Sequence, residues 1–247
     1  MNEQPFLSVI IPAYNEEKRL GARLESILKY LRQHYPNFEL IIIDDGSTDN
    51  TFEVISQAIA KNPRAKLISY NPNQGKGYAI RTGVSASKGD QVLFMDADLS
   101  TPLEEIPSIL ASLKTADIVI GSRAKPSQKV RKLAPPFRRI ASFIFDRIKY
   151  VLVGLRRFQD TQCGFKAYKG DIARKLYAMG KIDRFMFDVA ILYLAERAGL
   201  KIEEIPVNWA DMPDSKVRFW PGVSQMLRDL WLIRRIHPRS VTLFRQK

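Results

Sequence analysis

Two carboxylates one residue apart end an apolar run in the segment VLFMDADLSTP, residues 92–102. Successive side chains of an extended strand alternate between its faces, so we expect Asp96 and Asp98 to point the same way. Two like charges on one face repel each other unless a cation lies between them or both face water. The pair can therefore be helix-capping acids, solvated loop carboxylates or metal ligands. As metal ligands, carboxylate oxygens favour Mg²⁺ or Mn²⁺, which bind through one or two carboxylates and substrate phosphates.

A second acidic cluster, DDGSTD at residues 44–49, follows another apolar run. Gly46 and a capping Ser47 or Thr48 are typical of a turn from a strand into a helix. Such a turn does not account for two consecutive acids. A carboxylate such as that of Asp45 can accept hydrogen bonds from a nucleobase N–H or from ribose hydroxyls.

The elements that must position these clusters alternate along the first half of the chain. Short apolar runs separated by helix-like stretches predict an α/β fold with a Rossmann-like, mostly parallel sheet covered by helices on both faces. The predicted strands are LSVIIPAY, ELIIIDD, KLISYN, QVLFMDAD and DIVIGS, between residues 7 and 122. Ligands of such folds bind at the carboxyl ends of the strands. PAYNEE, DDGSTD and DADLSTP all lie there, so the sequence predicts a site at this edge. NQGKGYAIRTG, residues 73–83, has the glycines and lysine of a phosphate-binding loop, but alone it predicts only a loop.

Charge is unevenly distributed along the chain. The 247 residues carry 39 Lys and Arg against 26 Asp and Glu, a net charge of +13. Residues 123–157 hold eleven basic residues and one acid, and residues 216–247 hold eight and one. Such local charge predicts a polyanionic partner, which can be nucleic acid, an anionic membrane or a phosphorylated ligand. The single cysteine, Cys163, excludes an internal disulfide.

Two basic segments, residues 137–158 and 223–237, interleave arginines with aromatic and aliphatic residues. This composition is typical of helices that lie in a membrane interface, and equally of helices with an apolar side in the core and arginines in water. No apolar run approaches the ~18 residues that indicate a membrane span. The N-terminal segment also lacks the basic region and cleavage site of a signal peptide. We expect a cytoplasmic protein, peripheral at the cytoplasmic face of a membrane.

The ordered segments SVIIPAYNEE, DDGSTDNT, NQGKGYAIRTG, DADLSTP and GSR resemble the family 2 glycosyltransferases of GT-A fold. The resemblance continues through DTQCGFKAY, RFMFDVAILYLAERAG and EIPVNWADMPDSKVR, and so covers about residues 6–220. The chain is most similar to the branch that transfers sugars to polyprenyl phosphates, especially the dolichyl-phosphate glucosyltransferases. The resemblance implies an inverting hexosyltransferase with Mg²⁺ or Mn²⁺, a nucleotide-sugar donor and a polyprenyl phosphate acceptor.

On the donor side, the resemblance implies that Asp45 hydrogen-bonds the uracil edge. Asp96 would contact the nucleotide, and Asp98, together with Asp96, would hold the metal. Lys76 and Arg81 would line the phosphate pocket, although a surface role fits each nearly as well. The implied nucleotide-sugar-binding set is Pro12, Ala13, Tyr14, Glu16, Asp45, Lys76, Arg81, Asp96, Lys216 and Arg218. The last two lie where the family has a basic loop that closes over the diphosphate.

On the acceptor side, the resemblance implies a phosphate-binding set of Arg123, Arg138, Arg139 and Ser142. Asp160 is the family's candidate base, which with Asp98 completes the implied catalytic residues. A phosphate monoester with a second pKa near ~6 is already largely ionised at neutral pH. We therefore expect Asp160 to orient the acceptor or to take a residual proton. Relatives read FDVE where this chain has FDVA, so Asp188 either shapes the acceptor site or caps local structure.

The implied organisation is a single GT-A domain with a basic extension. Residues 1–122 form its nucleotide-sugar-binding half, residues 123–219 its acceptor-binding half, and residues 220–247 a basic amphipathic segment. The DTQCGFK and EIPVNW motifs favour glucose from UDP-glucose, whereas a GDP-mannose-dependent polyprenyl-phosphate mannosyltransferase shares most motifs. A basic nucleic-acid-binding protein would explain the charge but not the acidic clusters. No nucleic-acid-binding motif is present, so we expect no nucleic-acid partner.

Overall fold

A seven-stranded sheet forms the centre of the computed structural model, which describes residues 7–124, 147–210, 219–238 and 241, with backbone alone for 219–223. The strands are β1 (Leu7–Ala13), β2 (Phe38–Asp45), β3 (Ala65–Tyr70), β4 (Gln91–Met95), β5 (Ile118–Ser122), β6 (Phe165–Lys169) and β7 (Ile202–Pro206). Their order across the sheet is β3-β2-β1-β4-β6-β5-β7. All neighbours are parallel except β6, which runs antiparallel to both β4 and β5.

Helices cover both faces of this sheet. They are α1 (Leu20–His34), α2 (Thr51–Ile59), α3 (Lys76–Ala86), α4 (Ile106–Ser112), α5 (147–153), α6 (Gly170–Met179), α7 (Phe187–Arg197) and α8 (Phe219–Ile236). Helices α1, α2 and α4 contribute to the core on one face, and α3 and α5 to α8 contribute to the core on the other. The predicted α/β fold is confirmed. Within the described part of the chain, no helix combines the length and apolarity needed to cross a membrane.

Two-sided burial explains the uninterrupted apolar strands. In β2, Ile41 and Ile43 belong to one core, and Leu40 and Ile42 belong to the other. Because strand side chains alternate between faces, a strand covered on both sides must be apolar at every position.

Three local predictions were wrong. Strand β4 ends at Met95, and Leu99 has a φ of +53°, so strand alternation does not extend to Asp98. The segment NQGKGYAIRTG is a loop only as far as Gly75, because α3 begins at the next residue. Helix α2 begins at Thr51, later than a cap at Ser47 or Thr48 would allow.

Strand β6 was not predicted from the sequence. It lies between β4 and β5, so residues from both sides of the predicted boundary at 122 share one sheet. Its register places Phe165 beside Met95 and Lys166 beside Phe94, next to the site edge. The assignment of residues 1–122 and 123–219 to donor and acceptor binding stays a prediction.

Candidate active site

The loops that follow β1 and β2 are hydrogen-bonded to each other. The backbone N–H of Asn15 donates to Ser47 Oγ over 2.9 Å, and the N–H of Thr48 donates to Asn15 Oδ1 over 2.8 Å. Asn15 adopts a φ of +54°, a left-handed conformation that asparagine tolerates better than most residues. Tyr14 beside it is exposed, and the Glu16 carboxylate forms an ion pair with Arg19. The predicted residues Pro12 and Ala13 are the last two of β1.

Asp45 holds the loop that leads into α3. Its buried carboxylate accepts hydrogen bonds from Asn73 Nδ2 and the Gln74 N–H, both over 2.8 Å, and from the Gly75 N–H over 2.9 Å. Gly75 has a φ of +102°, and a Cβ there would lie 2.7 Å from the Asp183 carbonyl oxygen. This position therefore requires glycine. Contact between Asp45 and a uracil ring stays a prediction.

Lys76, the first residue of α3, places its Nζ 2.6 Å from Asp96 Oδ1. The two side chains are 26% and 32% exposed, so the pair lies at the rim of the site rather than beneath it. Burial lowers the pKa of Lys76, but the charges of Asp96 and Asp188 outweigh this and raise it overall. Lys76 is therefore an ammonium at neutral pH.

Gly164 allows Asp96 its position. The Asp96 N–H donates to the Gly164 carbonyl oxygen over 3.0 Å, and a Cβ on Gly164 would lie 1.8 Å from Asp96 Oδ2. No side chain can replace this glycine without displacing the carboxylate. On the other side of the turn, Asp98 Oδ1 accepts a hydrogen bond from the Ser100 N–H over 2.9 Å.

The carboxylates fit a divalent cation that is completed by substrate. The described residues contain no group of three or more His, Cys, Asp or Glu side chains that could hold a metal alone. Mg²⁺ and Mn²⁺ need no such group when one or two carboxylates and a diphosphate supply the oxygens. Asp96 and Asp98 provide oxygen ligands of this kind at the end of β4.

A buried ion pair that the sequence did not predict lies next to Lys76. Lys166 in β6 is fully buried, and its Nζ pairs with the carboxylate of Asp188 in the first turn of α7. The Nζ atoms of Lys76 and Lys166 lie 5.4 and 5.6 Å from the centre of the Phe94 ring. Burial raises the pKa of Asp188, and the charges of Lys166 and Lys76 offset part of this rise. The sequence signal was a lysine, Lys166, flanked by apolar residues in the short segment that follows Gly164.

Arg123 and Asp160, which were predicted to serve the acceptor, form an ion pair through two hydrogen bonds; their contact with an acceptor stays a prediction. Arg123 Nε donates to Asp160 Oδ2 over 2.6 Å, and Nη2 donates to Oδ1 over 2.8 Å. Burial raises the pKa of Asp160, but the hydrogen bonds and charge of Arg123 outweigh it and hold the pKa below its ordinary value. A carboxylate with a lowered pKa is a weak base, so this geometry favours the orienting role over the proton-accepting one. Burial also raises the pKa of Cys163 to about 12, which excludes a thiolate nucleophile at neutral pH.

Trp209, also missed by sequence reasoning, lies near both Asp96 and Arg123. It lines a small cavity with Met95, Asp96, Ser100, Thr101 and Gly164. The Arg123 guanidinium carbon lies 5.7 Å from the centre of the Trp209 ring. Since tryptophan packs in many cores, its place in EIPVNW did not distinguish a site residue from a core residue.

Arg81 fastens α3 to the segment before α7. Its Nη1 donates to the Gly180 carbonyl oxygen over 3.0 Å, and its Nη2 lies 2.5 Å from Asp183 Oδ1. These contacts give Arg81 a structural role, and its predicted role at the phosphate pocket stays a prediction. The remaining predicted site residues lie outside the described part of the chain: Arg138, Arg139, Ser142, Lys216 and Arg218.

A mostly parallel sheet with carboxylate-bearing loops at its strand ends defines a nucleotide-binding type of α/β enzyme. The profile of the family described as "Glycosyl transferase family 2" matches residues 8–176, which is more than half of the chain. The chain belongs to this glycosyltransferase family, and the predicted enzyme class is confirmed.

Curated relatives match nearly the whole chain. The dolichyl-phosphate beta-glucosyltransferase of Drosophila melanogaster is 37% identical over 242 residues, which cover 92% of this chain and 74% of the relative. The enzyme of that name from Dictyostelium discoideum is 35% identical over 243 residues, with 93% and 74% coverage.

Solved structures show the same fold. Glucosyl-3-phosphoglycerate synthase from Mycobacterium tuberculosis in complex with UDP aligns with a TM-score of 0.68 and 21% identity, covering 95% of this chain and 81% of the synthase. A complex of that synthase with Mn²⁺, UDP and glucosyl-3-phosphoglycerate gives a TM-score of 0.66 at 19% identity, with the same coverage. The structural match supports the GT-A-like architecture.

Proposed function

We propose that this chain transfers glucose from UDP-glucose to a polyprenyl phosphate such as dolichyl phosphate, with inversion at the anomeric carbon. The observation that carries the proposal is the match to dolichyl-phosphate beta-glucosyltransferases across more than nine tenths of the chain. The carboxylates of Asp96 and Asp98 after β4 support it, because they would hold the divalent cation that compensates the charge of a nucleoside diphosphate donor.

On the donor side, Asp96 and Asp98 would hold the Mg²⁺ or Mn²⁺ ion. The ion would supply positive charge to the departing diphosphate. Asp45 fixes the Asn73–Gly75 loop and thereby sets where Lys76 begins α3. Lys76 then presents an ammonium beside the carboxylates, where it can also contact a phosphate oxygen. Lys216 and Arg218 would add charge from the basic segment that follows β7.

On the acceptor side, the chain needs to orient an anion rather than generate one. The acceptor phosphate is already largely ionised at neutral pH, so its oxygen can attack the anomeric carbon directly. Asp160 holds the Arg123 guanidinium by two hydrogen bonds. Arg123 would thereby be oriented toward the phosphate, with Arg138, Arg139 and Ser142 as further ligands.

Calorimetric binding tests the donor, with UDP-glucose and GDP-mannose each titrated in Mn²⁺ and in chelator. We expect metal-dependent binding of UDP-glucose and transfer of labelled glucose to polyprenyl phosphate. Asp98→Asn should reduce both. Preferential binding of GDP-mannose would leave the proposed fold and mechanism unchanged but would show that the transferred sugar is mannose. Binding of neither nucleotide sugar, with salt-sensitive binding of DNA, would instead favour a nucleic-acid-binding protein.

We also propose that the protein works at the cytoplasmic face of a membrane, where its lipid-linked acceptor lies. In α8, Leu230 and Ile233 are buried, whereas Arg228, Trp231 and Arg235 are exposed. The Arg235 guanidinium carbon lies 3.4 Å from the Trp231 ring centre. The apolar side of α8 therefore faces the core. Its exposed arginines and tryptophan would contact the lipid headgroups, where each basic residue contributes about 1 kcal/mol of binding free energy. Sedimentation with anionic vesicles should weaken with salt, and equal recovery with neutral vesicles would contradict the proposal.

A further inference from the structure

Trp209 is fixed in place by contacts on both sides. The Asn208 side-chain Nδ2 donates to Glu105 Oε1 over 2.5 Å, and the Ala210 N–H donates to the Ser100 carbonyl oxygen over 2.9 Å. The residues before and after Trp209 are thus tied to the loop and turn that follow β4. The ring itself is partly exposed and lines the cavity beside Asp96.

The location of the ring defines what it can contact. The ring has two charged neighbours. The first is Asp96, which lines the same small cavity, and the second is Arg123, whose guanidinium carbon lies 5.7 Å from the ring centre and which is paired with Asp160. If the donor diphosphate binds at the first and the acceptor phosphate at the second, the group between them is the hexose in transfer. An indole offers that hexose a flat apolar surface within a polar site.

We propose that the Trp209 indole is the surface against which the transferred hexose packs, and that it selects a hexose with equatorial hydroxyls at C2 and C4. This inference rests on the proposed function, since it takes a UDP-hexose as the donor. In an α-linked donor, inverting attack at C1 occurs on the face opposite the diphosphate. On that face, C2 and C4 of glucose carry axial hydrogens, and a ring packed along the C2–C3–C4 side leaves the path of the acceptor phosphate to C1 open. An axial hydroxyl there, at C4 of galactose or C2 of mannose, would hold the sugar away from the ring and would lose its hydrogen bond to water.

The test compares ligands that share one nucleotide. Affinities for UDP, UDP-glucose and UDP-galactose are measured by calorimetry with Mn²⁺, for the wild-type chain and for Trp209→Leu and Trp209→Phe. Tyr35→Leu, at a partly exposed aromatic residue between α1 and β2 at the opposite edge of the sheet, is the control. We expect Trp209→Leu to weaken UDP-glucose binding about tenfold relative to UDP, and to bring the glucose-to-galactose affinity ratio close to one. Trp209→Phe should restore part of both, and Tyr35→Leu should change neither.

The outcomes separate this inference from the proposed function. An unchanged UDP-glucose-to-UDP ratio in a folded Trp209→Leu variant would overturn the role of the ring. An equal loss of affinity for UDP and UDP-glucose would overturn it too, because the ring would then support the loop and not the sugar. A wild-type chain that binds no uridine nucleotide would overturn the proposed donor, and the inference with it.

Discussion

The Lys76 ammonium and the Asp96 carboxylate are in direct contact, 2.6 Å apart, at the carboxyl end of β4. Lys76 begins α3, and Asp96 directly follows β4. The loop bound by Asp45 positions the lysine, and the absence of a side chain at Gly164 leaves room for the aspartate. A divalent cation bound by Asp96 must share that carboxylate with the ammonium. Lys76 therefore affects how tightly the carboxylates bind a metal, as well as how the site binds a phosphate.

Replacing Lys76 by Met should have opposite effects on two ligands. Mn²⁺ alone should bind about tenfold more tightly, since about 1.4 kcal/mol of repulsion is removed. UDP in the presence of Mn²⁺ should bind more weakly, because a positive charge near the diphosphate is lost. Calorimetry measures both, and Lys66→Met, at an exposed lysine of β3, controls for net charge. Equal Mn²⁺ affinities in the two variants would contradict this role.

Asp160 should affect the rate without setting its pH dependence. Because its folded-state pKa is lowered, the stability it contributes is complete above its unfolded value of 3.8 and is lost only as the pH falls through the lower folded value. Above about pH 5, any acidic limb in the rate should come from the acceptor phosphate, near pH ~6. Asp160→Asn should lower turnover about 100-fold through misplacement of Arg123, and leave that limb where it was.

Asp117→Asn is the control for this experiment. Asp117 also pairs with a cation, Lys169 at 2.8 Å, and hydrogen bonds hold its pKa low against the effect of burial. It precedes β5 at the amino end of the strand, away from the site. A shift of the acidic limb by a full pH unit in Asp160→Asn alone would show that Asp160 titrates as a base.

Replacing one member of the Lys166–Asp188 pair should lower the free energy of unfolding strongly, whereas replacing both members with apolar residues should lower it much less. Asp188→Asn or Lys166→Met alone leaves one charge buried without its partner, which costs about 3–5 kcal/mol. The double variant Lys166→Met/Asp188→Leu should lose much less than the sum of the single variants. Urea unfolding measures each free energy, with the more exposed Asp117–Lys169 pair as comparison, where we expect a loss of about 1 kcal/mol or less. Additive losses would argue against direct coupling.

Gly164→Ala should damage the carboxylate site. The new methyl group would overlap Asp96 Oδ2, so the carboxylate would have to move. Overpacking of this kind lowers the free energy of unfolding by about 1–3 kcal/mol. We expect a lower melting temperature and weaker Mn²⁺-dependent UDP binding. Gly170→Ala is the control, because it follows β6 at the opposite edge of the sheet and its Cβ would lie 2.1 Å from the Gly89 carbonyl oxygen. It should also lower the melting temperature but leave UDP binding intact. Normal UDP binding by Gly164→Ala would mean that Asp96 can move without consequence.

Sequence patterns predicted the sheet well because two-sided burial leaves a strong signal. The central residues of a strand such as β2, Leu40 to Ile43, are apolar on both faces, and the acids Asp44 and Asp45 mark its carboxyl end. Strand β6 was missed because FKAYK contains two lysines. Tertiary partners, not local preference, allow them: Asp188 neutralises the first and Asp117 the second.

The internal pairing of the candidate site was not predicted. The motifs placed Asp45 and Asp96 at one edge of the sheet, and the resemblance assigned Asp160 to the acceptor, whose binding stays a prediction. The structure adds that each of these carboxylates has a partner from a distant segment. Sequence spacing cannot show such pairs, because Arg123 and Asp160 are brought together by a sheet order in which β6 enters between β4 and β5.

Antiparallel β6 has an evolutionary consequence. Strand β5 ends and β6 begins at the same edge of the sheet, so residues 123–164 leave and return there as one long excursion between two neighbouring strands. An excursion of this kind can be lengthened, recharged or exchanged without shifting the register of the strands beneath it. If these residues bind the acceptor and the loops after β1 and β2 bind uridine, as we propose, acceptor preference can diversify among descendants of one ancestor without any change in the donor loops.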